Sequence, residues 1–96
     1  MHYVYVLFSK KLKKYYIGET HDIALRLARH NSDYYENKYT KRGQPWELKF
    51  ELECESKKQA KKIEQHIKKM KSARYIQNFM KYEDLRNKLL LKYKNC

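Results

Sequence analysis

The chain has 96 residues, with 23 Lys plus Arg against 11 Asp plus Glu and a formal net charge of +12. This is the length of one small domain. No apolar run is long enough to span a membrane, and the two cysteines form neither a disulfide framework nor a metal-site spacing. Transmembrane and disulfide-stapled classes are therefore excluded, and a reducing cytoplasm is the expected location.

The positive charge is concentrated in the second half of the chain. Residues 57–96 hold thirteen Lys or Arg and three Asp or Glu, a net +10, whereas residues 1–56 hold ten and eight, a net +2. A charge of this size implies a polyanionic partner. A nucleic acid is favoured over a membrane surface, because the most apolar segments are predicted to pack in a sheet rather than on one helix face.

The first two predicted elements form a β-hairpin. His2–Phe8 is apolar or aromatic at almost every position, which is typical of a central strand covered on both faces. Ser9–Lys13 is polar and turn-like, and Lys14–Gly18 predicts the partner strand. Gly18 indicates a close approach of two backbones or a bend.

A helix, a loop and a third strand follow. Thr20–Asn31 has an apolar side at helical spacing, and Thr20 or Asp22 can cap its first turn. Ser32–Gln44 reads as a loop. Trp46–Cys54 alternates strictly between apolar and charged residues, which predicts a strand with one buried and one solvated face.

The remaining sequence predicts three helices. Ser56 begins a capping box and opens a helix that ends near Met70. Ser72 caps a second helix over Ala73–Lys81, and Tyr82–Tyr93 predicts a last amphipathic helix with Leu85, Leu89 and Tyr93 on its apolar stripe.

This order of elements predicts an α+β fold. We expect a small, mainly antiparallel sheet of three strands, with the first strand central and helices packed around it. Residues 1–81 form the predicted domain, and residues 82–96 form a basic amphipathic helix that extends it.

Glu64 is the first candidate for chemistry. It is the only acidic residue between Glu55 and Tyr82, in a stretch with nine basic residues, and it lies at the border between the apolar and the Lys-rich sides of its helix. The simpler interpretation is a helical ion pair with Lys68. The functional interpretation is a ligand to a hard cation, because a single carboxylate suits Mg²⁺ that keeps its waters and also binds a substrate phosphate.

Two further pairs of residues share local structure. Arg26 and His30 are four residues apart and so lie on one helix face. Tyr5 and Tyr16 lie on the two strands of the hairpin. An Arg fork matches phosphate geometry, and a His can transfer protons near neutral pH, although each pair also has a purely structural interpretation.

Together these positions resemble the signature of the GIY-YIG nuclease family. Tyr3–Tyr5 (YVY) is followed, after ten residues, by Tyr16–Gly18 (YIG), which matches the second triplet letter for letter. The first triplet matches strictly only at its tyrosine. The similarity continues through the Arg-x-x-x-His spacing of Arg26 and His30 to the segment around Glu64, and it covers the chain up to about residue 80.

The resemblance implies a role for each matching residue. Tyr5 and Tyr16 correspond to the signature tyrosines, Arg26 to the arginine that holds the scissile phosphate, His30 to a residue that assists the nucleophile, and Glu64 to the ligand of a single Mg²⁺ or Mn²⁺. Whether Tyr5 or His30 is the general base stays open. The side chains expected to contact nucleic acid are Lys10, Lys13, Lys14, Arg29, Lys61, Lys68 and Asn78.

The expected activity is therefore metal-dependent endonucleolytic cleavage. DNA is favoured over RNA, with low sequence specificity unless a protein partner supplies it, and DNA repair or recombination is the expected setting. The alternative is a nucleic-acid-binding module that keeps the fold but has little catalytic activity. The sequence leaves the oligomeric state undetermined.

Overall fold

The computed structural model describes residues 1–32 and 38–94. Within them the chain forms three strands and five helices. The strands are β1 (His2–Ser9), β2 (Lys14–Thr20) and β3 (Trp46–Cys54), and the helices are α1 (Ile23–His30), α2 (Lys38–Gly43), α3 (Lys57–Met70), α4 (Ala73–Lys81) and α5 (Glu83–Lys92).

The strands form one antiparallel sheet in the order β2-β1-β3. The central strand β1 is buried on both faces, since Val4, Tyr5, Val6 and Leu7 are each at most 1% exposed. The α+β fold and the central position of the first strand are thus confirmed. Because neighbouring side chains of a strand point to opposite faces, β1 supplies Val4 and Val6 to one layer and Tyr5 and Leu7 to the other.

The prediction that β3 buries a single face along its whole length is wrong. Val6 pairs with Phe50, but Leu7 pairs with Leu48, so Lys49 is an extra residue in β3 and forms a β-bulge. A bulge reverses the alternation of faces beyond it. Phe50 therefore packs with Val6, whereas Trp46 packs on the opposite face of the sheet with Tyr5 and Leu7.

The layer of α3, α4 and α5 holds the larger core. Its buried residues are Val4, Val6, Ile17, Cys54, Ala60, Ile63, Ile67, Phe79 and Leu89. On the other face, α1 packs Ile23 and Leu27 against Tyr5, Leu7 and Trp46. The two faces therefore differ in chemistry, since the buried core of one is mainly aliphatic, whereas the other buries the two large aromatic rings of Tyr5 and Trp46.

The helix boundaries follow from capping side chains. Asp22 caps α1, so this helix begins at Ile23 rather than near Thr20, which ends β2. Ser56 and Ser72 cap α3 and α4 as predicted, each accepting a hydrogen bond from a backbone N–H three residues later. Such caps each stabilise a helix by about 1 kcal/mol.

The region expected to be a loop contains the short helix α2. This corrects the interpretation of Ser32–Gln44, of which residues 33–37 lie outside the described part. The helix is fixed by the β3 tryptophan, because the Trp46 indole N–H donates a hydrogen bond to the Thr40 carbonyl. A Cβ at Gly43 would overlap the Trp46 ring, so only glycine fits there.

Helix α5 packs on the same core as the rest of the chain. Leu89 is buried, and Leu85 and Tyr93 pack against the core. The buried Gln59 side chain of α3 donates a hydrogen bond to the Leu90 carbonyl of α5. In the described part of the chain, no helix has the length and apolarity needed to cross a membrane.

Candidate functional site

Tyr5 is held in place by the glycine opposite it. It pairs with Gly18 across β1 and β2, and its ring lies directly over that residue. A Cβ at Gly18 would overlap the ring and hydroxyl of Tyr5. The glycine of the YIG triplet is therefore needed for close approach.

The ring of His30, at the end of α1, joins the two signature tyrosines. Its Nε2 and the Tyr5 hydroxyl form a buried hydrogen bond of 3.2 Å. The Tyr16 ring meets the His30 ring edge-on, with 4.7 Å between centroids, and Trp46 lies 5.9 Å from Tyr16. Tyr5 and His30 are 1% and 2% exposed, whereas Tyr16 is half-buried.

His30 is neutral at physiological pH. Burial lowers its pKa to about 4, and the positive charge of Arg26, one turn earlier on α1, lowers the pKa in the same direction. A neutral imidazole has one nitrogen that can accept a proton. The Tyr5–His30 pair therefore joins a phenol to a neutral imidazole.

Arg26 is half-buried on the same side of α1 as His30. Its spacing of four residues places the two side chains one above the other on the helix. The cluster therefore has a permanent positive charge beside the neutral histidine, and a guanidinium matches the geometry of a phosphate.

Lys68 connects Glu64 to the aromatic cluster formed by Tyr5, Tyr16, His30 and Trp46. The Glu64 Oε1 atom lies 3.5 Å from the Lys68 Nζ, and the Glu64 side chain is 16% exposed. The same Nζ lies 5.7 Å from the centre of the Tyr16 ring. The helical ion pair that forms the simpler interpretation of Glu64 is thus present, and it lies beside the aromatic cluster.

This arrangement is compatible with a divalent ion that binds through a single carboxylate. The described residues contain no group of three or more His, Cys, Asp or Glu side chains able to hold a metal together. Glu64 is a lone, partly accessible carboxylate, which suits an ion that takes one protein oxygen and completes its shell with water and phosphate.

The family comparison agrees with this geometry. The model of the GIY-YIG catalytic domain matches residues 1–82. The chain belongs to the GIY-YIG family. This family indicates a nuclease-type domain that acts on nucleic-acid phosphodiesters. No curated protein matches the chain, and no solved structure matches it.

The residues predicted to contact nucleic acid lie at different distances from the cluster in this GIY-YIG domain. Lys68 lies in the cluster itself, and Lys13 and Lys14 line a groove beside Tyr16. Lys10 instead pairs with Glu47 of β3 at 3.3 Å. The remaining three are Arg29, half-buried on α1, Lys61, exposed one turn before Glu64, and Asn78, half-buried on α4.

Two residues near the site were not predicted. Trp46 was expected in the core, but its position against Tyr16 depends on the bulge at Lys49, which leaves no signal in an alternating sequence. Lys71 ends α3 in a left-handed conformation and lines the same groove as Lys13 and Lys14. The sequence indicated that Lys71 lies at a helix end, but it did not indicate that Lys71 lies close to β2.

Proposed function

We propose that this GIY-YIG domain cleaves nucleic-acid strands by hydrolysis of phosphodiester bonds with one divalent ion, Mg²⁺ or Mn²⁺. The supporting observation is the convergence of β1, β2, α1 and α3 on one cluster. The cluster is a chain of contacts. Tyr5 is hydrogen-bonded to His30, and the His30 ring contacts the Tyr16 ring. Lys68 lies over the Tyr16 ring and pairs with Glu64.

Glu64 is the residue that would hold the ion. When bound, the ion supplies charge neutralisation at the phosphate and at the leaving oxygen. The ammonium of Lys68 shares the Glu64 carboxylate in the structure. It must therefore turn away or bind the phosphate when the ion is present.

Arg26 is assigned to the phosphate. Its guanidinium presents paired N–H donors in the geometry of two phosphate oxygens. Negative charge develops at these oxygens when water attacks, and a cation already in place stabilises that charge.

Tyr16 is the phenol assigned to the attacking water. It is half-buried, whereas Tyr5 and His30 are almost fully enclosed. The 3.2 Å hydrogen bond between the Tyr5 hydroxyl and the Nε2 atom of neutral His30 fixes both rings behind Tyr16. Tyr5 and His30 then position Tyr16 and the water, and His30 is the group in the cluster that can take up a proton.

The finer substrate assignment rests on charge and on the small size of the described fold. A net charge of +12 favours long polyanions, and we assign DNA ahead of RNA. The described residues form one small sheet and its helices, and we expect low sequence specificity without a partner protein. Repair or recombination in the cytoplasm is the setting we infer for such an activity.

The test is cleavage of a panel of nucleic acids. Wild type is incubated with supercoiled DNA, branched DNA and single-stranded RNA, with Mg²⁺ and with EDTA. We expect Mg²⁺-dependent cleavage that falls at least about a hundredfold in Glu64→Gln. Glu83→Gln, which changes an exposed acid of α5, is the matched control and should retain wild-type activity. Equal cleavage by Glu64→Gln and wild type would reject the assignment.

The second candidate function is a binding module with little catalysis. The Glu64–Lys68 ion pair favours it, because a carboxylate already paired with an ammonium loses affinity for a metal ion. Binding to the panel without cleavage in Mg²⁺ or Mn²⁺ would support this alternative.

A further inference from the structure

A groove of about 430 Å³ lies beside the cluster, between the edge strand β2 and the turn from α3 to α4. Two kinds of side chain line it. Four lysines stand around it, namely Lys13, Lys14, Lys68 and Lys71. Tyr15, Tyr16 and three isoleucines supply most of its apolar lining.

We propose that this groove binds an unpaired segment of the nucleic-acid strand, next to the bond that is cleaved. The inference deepens the proposed function and rests on it, because it names the substrate class of the same site. A strand with free bases, such as a flap, a single-stranded end or a loop, is the ligand it would take.

Charge selects the class of ligand. The described residues that line the groove include four lysines and no carboxylate. All four lysines are exposed to solvent, from which phosphates can reach them, although Lys68 also pairs with Glu64. A groove with this charge is complementary to a chain of phosphates rather than to a neutral ligand.

The apolar lining selects for unpaired bases. A paired duplex presents phosphates to a protein surface and keeps its base faces stacked inside. Tyr15 and Tyr16 of β2 and Ile76 of α4 are each half-buried. Such a surface can pack only against bases that have left the stack, as in proteins that bind single strands on aromatic platforms.

Two of the lysines occupy unusual backbone positions. Lys13 in the hairpin turn has φ 55°, and Lys71 at the end of α3 has φ 49°. Gly or Asn adopts this left-handed conformation more easily than Lys. In both turns the chain has a lysine where a residue better suited to the backbone would fit, and both turns border the groove.

The groove is continuous with the cluster. Tyr16 lines the groove and also meets the His30 ring, and Lys68 lines the groove and also pairs with Glu64. A strand lying in the groove would therefore bring a neighbouring phosphate towards Glu64 and Arg26.

The test measures binding without cleavage. Anisotropy titrations in EDTA use the full chain and three labelled probes: a 12-nucleotide single strand, an abasic strand of equal length and a 12-base-pair duplex. The groove variant is Lys13→Asn with Lys71→Asn, because Asn keeps the left-handed turns. The control is Lys57→Gln with Lys88→Gln, which removes the same charge from exposed helical positions.

We expect the groove variant to bind the single strand about tenfold more weakly or worse, with a salt slope reduced by about 0.7 for each phosphate that the variant no longer neutralises. Duplex binding should change less, and the control should stay within about threefold of wild type. Wild type should also prefer the single strand over the abasic strand. Equal losses of affinity in groove and control variants, equal binding of the abasic strand, or no single-strand binding would each overturn the proposal.

The outcome is separable from that of the proposed function. Loss of single-strand binding in the groove variant, with no cleavage by wild type in Mg²⁺, would retain the groove and reject the nuclease. Efficient cleavage by wild type, with unchanged single-strand binding and cleavage by the groove variant, would retain the nuclease and reject the groove.

Discussion

The two faces of the sheet share one central strand but differ in what they bury. Towards α3–α5, β1 contributes Val4 and Val6 to a largely aliphatic core. Towards α1, it contributes Tyr5, which forms a hydrogen bond with the buried His30. The first face buries mainly apolar surface, which stabilises the fold, and its buried Gln59 side chain is hydrogen-bonded to the Leu90 carbonyl. The second also encloses polar groups, which stabilise it only when their hydrogen bonds are satisfied.

This difference assigns separate tasks to the two faces. Substitutions on the α3–α5 face should reduce stability, and any loss of catalytic activity should follow from that loss of stability. Changes on the α1 face should alter chemistry with smaller effects on stability. Glu64 is the exception, since it lies on α3 but reaches the α1-side cluster through Lys68 and Tyr16 at the β2 edge.

The largest loss of stability is expected for Phe79→Ala. Phe79 is fully buried, with its ring edge-on to Phe50 at 5.8 Å between centroids. Removing its ring leaves a cavity and should lower the free energy of unfolding by about 3–5 kcal/mol, measured by urea denaturation. Leu91→Ala is the control, because Leu91 is 75% exposed. Equal effects of the two changes would contradict the packing described.

The pH dependence of stability should report the neutral His30. Its pKa is about 4 in the folded chain and 6.5 as the ordinary value. The stabilising contribution is therefore complete above pH 6.5 and is lost as the pH falls towards 4, because the unfolded chain then binds a proton that the folded chain does not. The loss is about 3 kcal/mol at most.

The measurement is the free energy of unfolding at pH 7 and at pH 4.5 for wild type and His30→Gln. The difference between the two proteins should shrink at the lower pH. His66, whose pKa is also lowered by burial, contributes equally to both proteins and cancels. A difference that is independent of pH would show that His30 is not held neutral.

Gly18→Ala should disturb the α1 face through a single methyl group. The added Cβ overlaps the Tyr5 ring, so the ring must move away from His30. Overpacking of this kind costs about 1–3 kcal/mol, and cleavage should be lost as the Tyr5–His30 hydrogen bond breaks. Thermal unfolding and the cleavage assay together check this result, and unchanged activity would show that the position of Tyr5 does not matter.

Tyr5→Phe should have the smallest effect on stability. It removes one hydroxyl and its hydrogen bond to His30, worth about 1 kcal/mol. Cleavage should nevertheless fall markedly, because His30 and Tyr16 lose the group that fixes them. Tyr82→Phe removes a hydroxyl from a side chain that is 49% exposed and serves as the matched control. A cleavage rate as high as that of the control would remove Tyr5 from the site.

The sequence predicted the elements whose signals are local. The largely apolar segment His2–Phe8 indicated a strand covered on both faces, which the structure extends to Ser9, and Ser56 and Ser72 marked the helix starts. The bulge at Lys49 could not be predicted, because an extra residue in an alternating strand changes no letter of the pattern. The short helix α2 was missed because tertiary contacts with Trp46 hold it.

The site was only partly predictable for the same reason. Spacing placed Arg26 and His30 on one helix face, but the contacts of His30 with Tyr5 and Tyr16 join elements distant in the chain. Family resemblance, rather than periodicity, brought the five positions together in advance. Spacing predicted the ion pair between Glu64 and Lys68, but neither source indicated the contact of Lys68 with Tyr16, which depends on how α3 packs at the edge of β2.

The central claim is that Glu64 and the α1-side cluster form one metal-dependent centre. Its most direct test is paramagnetic line broadening by Mn²⁺, observed by NMR in wild type and in Glu64→Gln without nucleic acid. The account predicts that Mn²⁺ broadens the signals of Tyr16, His30 and Lys68 in wild type and leaves them sharp in Glu64→Gln. Broadening that survives in Glu64→Gln, or that is confined to Glu83 and Asp84 on α5, would contradict it.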